Sequence, residues 1–341
     1  MTDSAAPAAP MEALLAQELP AGPEWQFEPK WDGFRCLALR DGDTVELWSK
    51  SGKPLGRYFP EVVATIARLT PERFLLDGEL IIVTGGGLSF DALQMRLHPA
   101  ESRIRKLAAE TPAMLMAFDL LELDGESLGH QPLADRRAAL EQFVAAQADS
   151  ALLLSPTAAD RNQALGWLDR SGGALDGVVA KRLDQPYRQG ERAMVKVKQH
   201  RTADCVVGGF RYDPTGATMA SLLLGLYDDA GQLNHVGFCS SFKAAEKKSW
   251  TPELQALVEP PGFTGNKPDV ASRWARDRVS EWQPLRPEIV IEVLYDQVTS
   301  GRFRHGTRLL RRRPDKRPDQ CRCEQLRHAL TPAELDGLLG R

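Results

Sequence analysis

At about residue 200 the apolar pattern of this chain changes character, and that change constrains the fold more than any single motif does. From Trp25 to about residue 200, strand-like runs alternate with helical ones. VELW at 45–48, FLLDGELIIV at 74–83, AMLMAFDLLEL at 113–123, DGVVAKR at 176–182 and MVKVKQ at 194–199 predict strands. FPEVVATIARL at 59–69 and LADRRAALEQFVAAQA at 133–148 carry the 3.6-residue period of helices. Beyond His200, DCVVGGFRY, SLLLGLYD and QLNHVGFCS follow one another across PTG and DDAG turn signals. A helical stretch near 251–258 and the strand PEIVIEVLYDQV come after them.

The first texture predicts a mixed α/β domain over 23–201. The second predicts a small Greek-key β-barrel of the oligonucleotide-binding (OB) type over 202–341. Residues 1–22, rich in Ala and Pro, are expected to form a loose leader. No run of about 18 apolar residues and no signal-peptide pattern is present, so a cytoplasmic protein without a membrane span is expected. Five cysteines with a single C-x-C pair predict reduced thiols. The net charge of -3 hides an asymmetry: residues 301–341 hold eleven Lys/Arg against five Asp/Glu, net +6, which leaves -9 on the rest. The basic end suits either solvent or an anionic ligand.

Four local patterns carry chemistry. Lys30, Asp32 and Gly33 stand together after a short strand, a grouping that by itself would be a surface turn. Asp77 and Glu79 interrupt an apolar run, where a carboxylate is costly unless a cation or metal partners it. In MVKVKQ, period-two alternation puts Lys196 and Lys198 on one face, and their repulsion makes sense if a phosphate chain lies against them. Asp176 heads a further apolar strand that closes with Lys181.

In chain order the set reads KWDGFR at 30–35, SKSG at 49–52, DGEL at 77–80, FDLL at 118–121, DGVVAK at 176–181, MVKVK at 194–198 and RPDK at 313–316. This series resembles the covalent nucleotidyltransferases and, within them, the ATP-dependent DNA ligases. The likeness runs from about 24 to 330, and the barrel segments are most similar to the small bacterial ligases of the C type.

The resemblance implies that Lys30 is the nucleophile that attacks the α-phosphorus of ATP, a step requiring a neutral amine that nearby cations favour. Lys196 and Lys198 would bind the α-phosphate. Arg35 and Lys50 would contact both ATP and DNA, Arg35 being suited to the nick phosphate. Glu79 and Asp176 would hold Mg²⁺ or Mn²⁺. Phe118 would stack on adenine, with Glu28 near its amino group, and Lys181 would reach the AMP phosphate. Arg313, Asp315 and Lys316 would close over pyrophosphate.

Three positions depart from the family pattern: Lys50 stands where Arg is usual, Asp176 where Glu is usual, and Met194 where an aromatic is frequent. The implied reaction is nick sealing in duplex DNA through lysyl-AMP and 5′-adenylated DNA intermediates, in repair of nicks and short gaps. The resemblance further implies a monomer, with a primase-polymerase as its repair partner. The competing readings are an RNA ligase or capping-type guanylyltransferase, and a non-catalytic nucleic-acid-binding accessory protein.

Overall fold

The computed structural model describes residues 9–84, 87–147, 151–171, 175–198, 201–268, 281–299, 301–326 and 332–339. The chain divides into two compact units, 1–199 together with 329–341, and 200–328. No helix among the described residues is long and apolar enough to cross a membrane.

The first unit is built on two sheets. One has the order β1 (Ala13–Ala16), β9 (Met194–Val197), β8 (Leu175–Arg182), β2 (Trp25–Trp31). The other has the order β7 (Leu152–Leu154), β6 (Met114–Leu123), β5 (Arg73–Ile81), β3 (Phe34–Asp41), β4 (Thr44–Ser49). The sheets face each other. Leu37, Leu75 and Leu121 of the second sheet pack with Met194 and Met11 on one side, and Met114 and Met116 pack with Phe27, Trp31 and Val178 on the other. A fully buried side chain of this size contributes about 1.5–3 kcal/mol, so these two clusters clamp the sheets and leave room for a cavity. The outer face of the second sheet carries α1 (Pro60–Ile66) and α4 (Leu133–Ala145), between which the chain forms α2 (Phe90–Arg96) and α3 (Glu101–Glu110), with Phe59, Ile66, Phe74 and Phe143 in the core beneath.

Within residues 9–22, the described part of the expected leader, the chain is ordered into the fold, which corrects the expectation there; residues 1–8 lie outside the described residues. Residues 13–16 form an edge strand parallel to β9, with Ala13 opposite Met194 and Ala16 opposite Val197. Met11 and Leu19 are buried. Alternation was not visible there because Leu14 and Leu15 both remain exposed and only the flanking residues reach the core.

In the second unit five strands run in the order β12 (Leu233–Cys239), β11 (Met219–Tyr227), β10 (Arg201–Tyr212), β13 (Val290–Tyr295), β14 (Arg308–Arg312), all antiparallel. The sheet curls until its ends approach: Cys239 bridges Thr307, and the Thr307 amide donates to the Phe238 carbonyl at 3.0 Å. This is the OB fold, with α6 (Ala244–Ala256) longer than the sequence predicted and seated on β11 through Trp250, Leu254 and the Thr251 hydroxyl. Cys36, Cys205, Cys239, Cys321 and Cys323 are free thiols.

The last helix, α7 (Pro332–Leu339), does not belong to the barrel, although 202–341 was read as one domain. Leu335 and Leu339 bury themselves beside Trp167 and Ala164 of α5 (Arg161–Asp169), and Glu334 pairs with Arg170. Apolar burial, not chain proximity, decides where it sits.

Candidate active site

Between the two sheets of the first unit lies a cavity of about 1050 Å³. Its walls bring together Glu28 and Lys30 from β2, Lys181 from β8, Lys196 from β9, Arg35 from β3, Glu79 from β5 and Phe118 from β6, with Lys50 at the end of β4. These residues span about 170 positions of sequence, and each was singled out by the motif series.

Lys30 lies inside β2, one residue before its end, and not after the strand as the sequence suggested. Its Nζ is 2.6 Å from Asp176 Oδ2, and Lys198 Nζ lies 2.9 Å from the same oxygen. A bulge aims that carboxylate: the register of β8 against β2 shifts between Leu175 and Val178, and Gly177 takes φ +123°. A Cβ at 177 would stand 2.1 Å from the Val197 carbonyl oxygen, so only glycine fits. Gly33 plays a similar part after Lys30, since a Cβ there would stand 2.2 Å from the Leu80 carbonyl oxygen. These Asp-Gly pairs, taken alone as turns, are close backbone approaches at a site.

Lys196 is pushed down in pKa by burial first and then by the positive charges of Lys30 and Lys198. Glu79 is pushed up to about 7, mainly by burial, an effect that the charges of Lys30 and Arg35 offset only in part. Deeper in the cavity Lys181 and Glu28 form a buried ion pair at 2.9 Å, with 4% and 3% of their side chains exposed. Gln26 also donates to Glu28 at 2.8 Å. Lys181 Nζ donates to the Phe118 carbonyl at 3.3 Å and stands 4.6 Å from the ring centroid, the same distance as the Arg35 guanidinium carbon.

Arg35 donates to both oxygens of fully buried Asp77 at 2.5 Å, which answers the sequence-level question of what neutralises that acid. Lys50, 59% exposed, pairs with Glu12 at 3.1 Å.

Three contributors to the site were not foreseen. Tyr187 donates to Asp77 at 2.6 Å, and Met11 and Glu12 line the cavity from the chain segment read as a leader. The Asp119–Arg136 pair, at 2.8 Å and 1% exposed on both sides, fixes the loop that carries Tyr187. The apolar surroundings of Asp77 were a signal for its partners. Nothing in local sequence marked Tyr187.

In the second unit Arg313 and Lys316 converge on one acid. Arg313 donates to both oxygens of Asp204 at 2.9 and 3.0 Å, and Lys316 reaches Oδ2 at 2.7 Å. Arg313 is also bound by Asp315 at 2.9 Å. Both cations are therefore engaged by carboxylates of their own unit, and Asp204 had drawn no attention in the sequence.

No group of three or more His, Cys, Asp or Glu side chains suited to a metal is present among the described residues. Of the two carboxylates expected to hold a metal, Glu79 lines the cavity, as Glu12 and Glu28 also do, and Asp176 meets the lining residue Lys30 at 2.6 Å. Burial raises Glu79 by more than Lys30 and Arg35 offset, and a carboxylate in that state suits a hard cation that takes its other oxygens from phosphate and water.

Comparisons with known proteins place this geometry in context. The family described as ATP dependent DNA ligase domain matches residues 6–198, and the ATP dependent DNA ligase C terminal region matches 215–316. DNA ligase C of Mycobacterium tuberculosis is 44% identical, the alignment covering 97% of this chain and 96% of that protein. A multifunctional non-homologous end joining protein of Mycobacterium bovis is 32% identical over 87% of this chain but only 37% of its own length. The structure of mycobacterial DNA ligase D complexed with ATP superposes with a TM-score of 0.50 at 28% identity, covering 94% of this chain and 99% of that one.

Proposed function

This chain belongs to the ATP-dependent DNA ligases, and from that premise we propose that it seals nicks in duplex DNA with Lys30 as the adenylated nucleophile. The observation that carries the reading is the placing of Lys30 inside the two-sheet cavity, joined through one Asp176 oxygen to Lys198 and flanked by Lys196. Two ammonium groups on a single carboxylate leave positive charge unbalanced, and a nucleotide phosphate chain supplies the missing negative charge.

In the first step Lys30 Nζ attacks the α-phosphorus of ATP. The bond to the β-phosphate oxygen breaks, pyrophosphate leaves, and the amine loses a proton as the phosphoramidate forms. Lys196 and Lys198 face the charge that builds on the α-phosphate oxygens. In the second step the 5′-phosphate of the nick attacks the same phosphorus and frees Lys30. In the third, the 3′-hydroxyl attacks the 5′-phosphate and AMP departs. Glu79 and Asp176 would hold Mg²⁺ or Mn²⁺, which supplies charge neutralisation at the phosphates when bound. Phe118 offers a face for adenine at the cavity floor, where Glu28 and Lys181 are already fixed to each other and cost no further ordering. Arg35 and Lys50 serve the nick phosphate, and Arg313 and Lys316 the leaving pyrophosphate.

Repair of nicks and short gaps, with a primase-polymerase as partner and the ligase acting as a cytoplasmic monomer, completes the proposal. The resemblance to an end-joining protein supports it. The test is incubation with α-labelled ATP or GTP followed by denaturing electrophoresis. Label carried from ATP alone, and lost in Lys30→Ala, is the expected result. Label from GTP alone would make the protein a capping-type enzyme, and no label from either a binding protein.

A further inference from the structure

Around Arg35 the hydrogen bonds close into a ring. Arg35 Nη2 donates to the Met11 carbonyl at 3.3 Å, the Met11 amide donates to the Tyr187 hydroxyl at 2.9 Å, and that hydroxyl donates to Asp77 Oδ2 at 2.6 Å. Asp77 in turn accepts from Arg35 Nε and Nη2. The ring draws on four separate stretches of chain, and Tyr187 is the member that links the N-terminal segment to the buried acid.

Tyr187 is itself held from behind. Its amide donates to the Gly129 carbonyl at 2.8 Å, and the guanidinium of Arg136, locked on Asp119, stands 5.7 Å from its ring centroid. With 7% of its surface exposed, its hydroxyl has no exchange with bulk water to fall back on.

We propose that Tyr187 is a positioning residue for Arg35, holding the guanidinium at the cavity wall and seating Met11 against it. The bonds described use Nε and Nη2, and Arg35 lines the cavity. The same ring helps make the segment 10–13 cavity wall, because the Met11 backbone is held at both its amide and its carbonyl while its side chain is buried. The proposal rests on the ligase reading and on Arg35 serving the nick phosphate.

The experiment compares the full-length protein with Tyr187→Phe, Arg35→Ala and the double variant, following enzyme-AMP formation and, separately, sealing of a pre-adenylated nick. Tyr187→Phe keeps the ring and deletes one hydroxyl, so it is expected to slow sealing of the pre-adenylated nick about tenfold while enzyme-AMP formation changes by less than about threefold. In the Arg35→Ala background the same change is expected to have no further effect, because the hydroxyl would act through a side chain already removed. Asp77→Asn, which retains the size of the acid, is expected to show the same split.

Equal slowing of both reactions, or losses that multiply in the double variant, would assign Tyr187 a merely structural part and overturn the proposal. Wild-type rates for Tyr187→Phe would do the same. Failure of the unaltered protein to take label from ATP would instead remove the ligase reading, an outcome distinct from either.

Discussion

Two acids in this molecule do similar geometry for different ends. Asp176 and Asp204 each hold two cations on one carboxylate, at 2.6 and 2.9 Å in the first case and between 2.7 and 3.0 Å in the second. Asp176 sits on a central strand and takes Lys30 from one flanking strand and Lys198 from just past the end of the other, with the two lysines 29% and 22% exposed. Asp204 takes both partners from one turn after β14. Its backbone is further pinned by Gln325, which accepts from the Asp204 amide at 2.9 Å and donates to its carbonyl at 3.2 Å. Asp315 and Glu292 also surround Arg313, whereas Lys196 feels the charges of Lys30 and Lys198 more strongly than that of Asp176. The difference teaches that cations sharing one acid remain open to a ligand, whereas cations held by several acids must leave them before they can meet one.

The largest effect that tests this contrast is Lys30→Ala. It is expected to reduce enzyme-AMP formation to background while sealing of DNA that already carries a 5′-AMP persists, measured by label transfer and by nick sealing. Next, Asp176→Ala is expected to lower the adenylation rate by about 10² or more, since it removes a charge-stabilising group at the reacting centre, with little loss of melting temperature. Asp176→Glu should be tolerated.

Asp204→Asn should reverse that profile. Orphaning two partly buried cations is expected to lower the melting temperature by about 2–4 °C for each 1 kcal/mol it costs, with adenylation reduced less than in Asp176→Ala. If Asp204→Asn abolished adenylation at an unchanged melting temperature, the contrast between the two acids would collapse. Within that cluster, Arg313→Ala should slow adenylation about tenfold more than it slows sealing of pre-adenylated DNA, as a pyrophosphate contact requires.

The smallest effect concerns Glu79. Its folded pKa of about 7 lies above its ordinary carboxylate value, so the folded protein binds the extra proton. The stability this contributes is fully present below about pH 4.5 and is lost as the pH rises through about 7. Melting curves of the wild type and Glu79→Gln should therefore diverge across that window by a few degrees at most, the wild type falling relative to the variant.

Much of the architecture was legible because buried strands leave a strong mark. FLLDGELIIV and AMLMAFDLLEL became β5 and β6 because both faces of each strand are covered, and the carboxylates inside them could only be partnered or functional. The cavity lining was legible for the same reason: a charged residue in an apolar run needs a cause. The short helices Phe90–Arg96, Glu101–Glu110 and Arg161–Asp169 were missed, each being too short to complete three turns of period. Asp204 escaped because an acid at the head of a strand looks solvent-facing until its partners, over a hundred residues away, are known. Tyr187 escaped because a tyrosine in a Gln-Pro-Tyr-Arg loop is unremarkable by composition; only the fold carries it to Asp77.

The docking of α7 has a consequence for the order in which the protein comes into being. The first unit opens with residues near the start of the chain and is closed by Leu335 and Leu339, with the whole barrel inserted between. During synthesis the apolar surface around Trp167 and Ala164 therefore stays uncovered until residues 332–339 have left the ribosome, by which time every residue of the barrel has already been made. The nucleotide-handling half, translated first, is the half that finishes last, and a shortened chain ending near residue 200 would leave that surface bare for good.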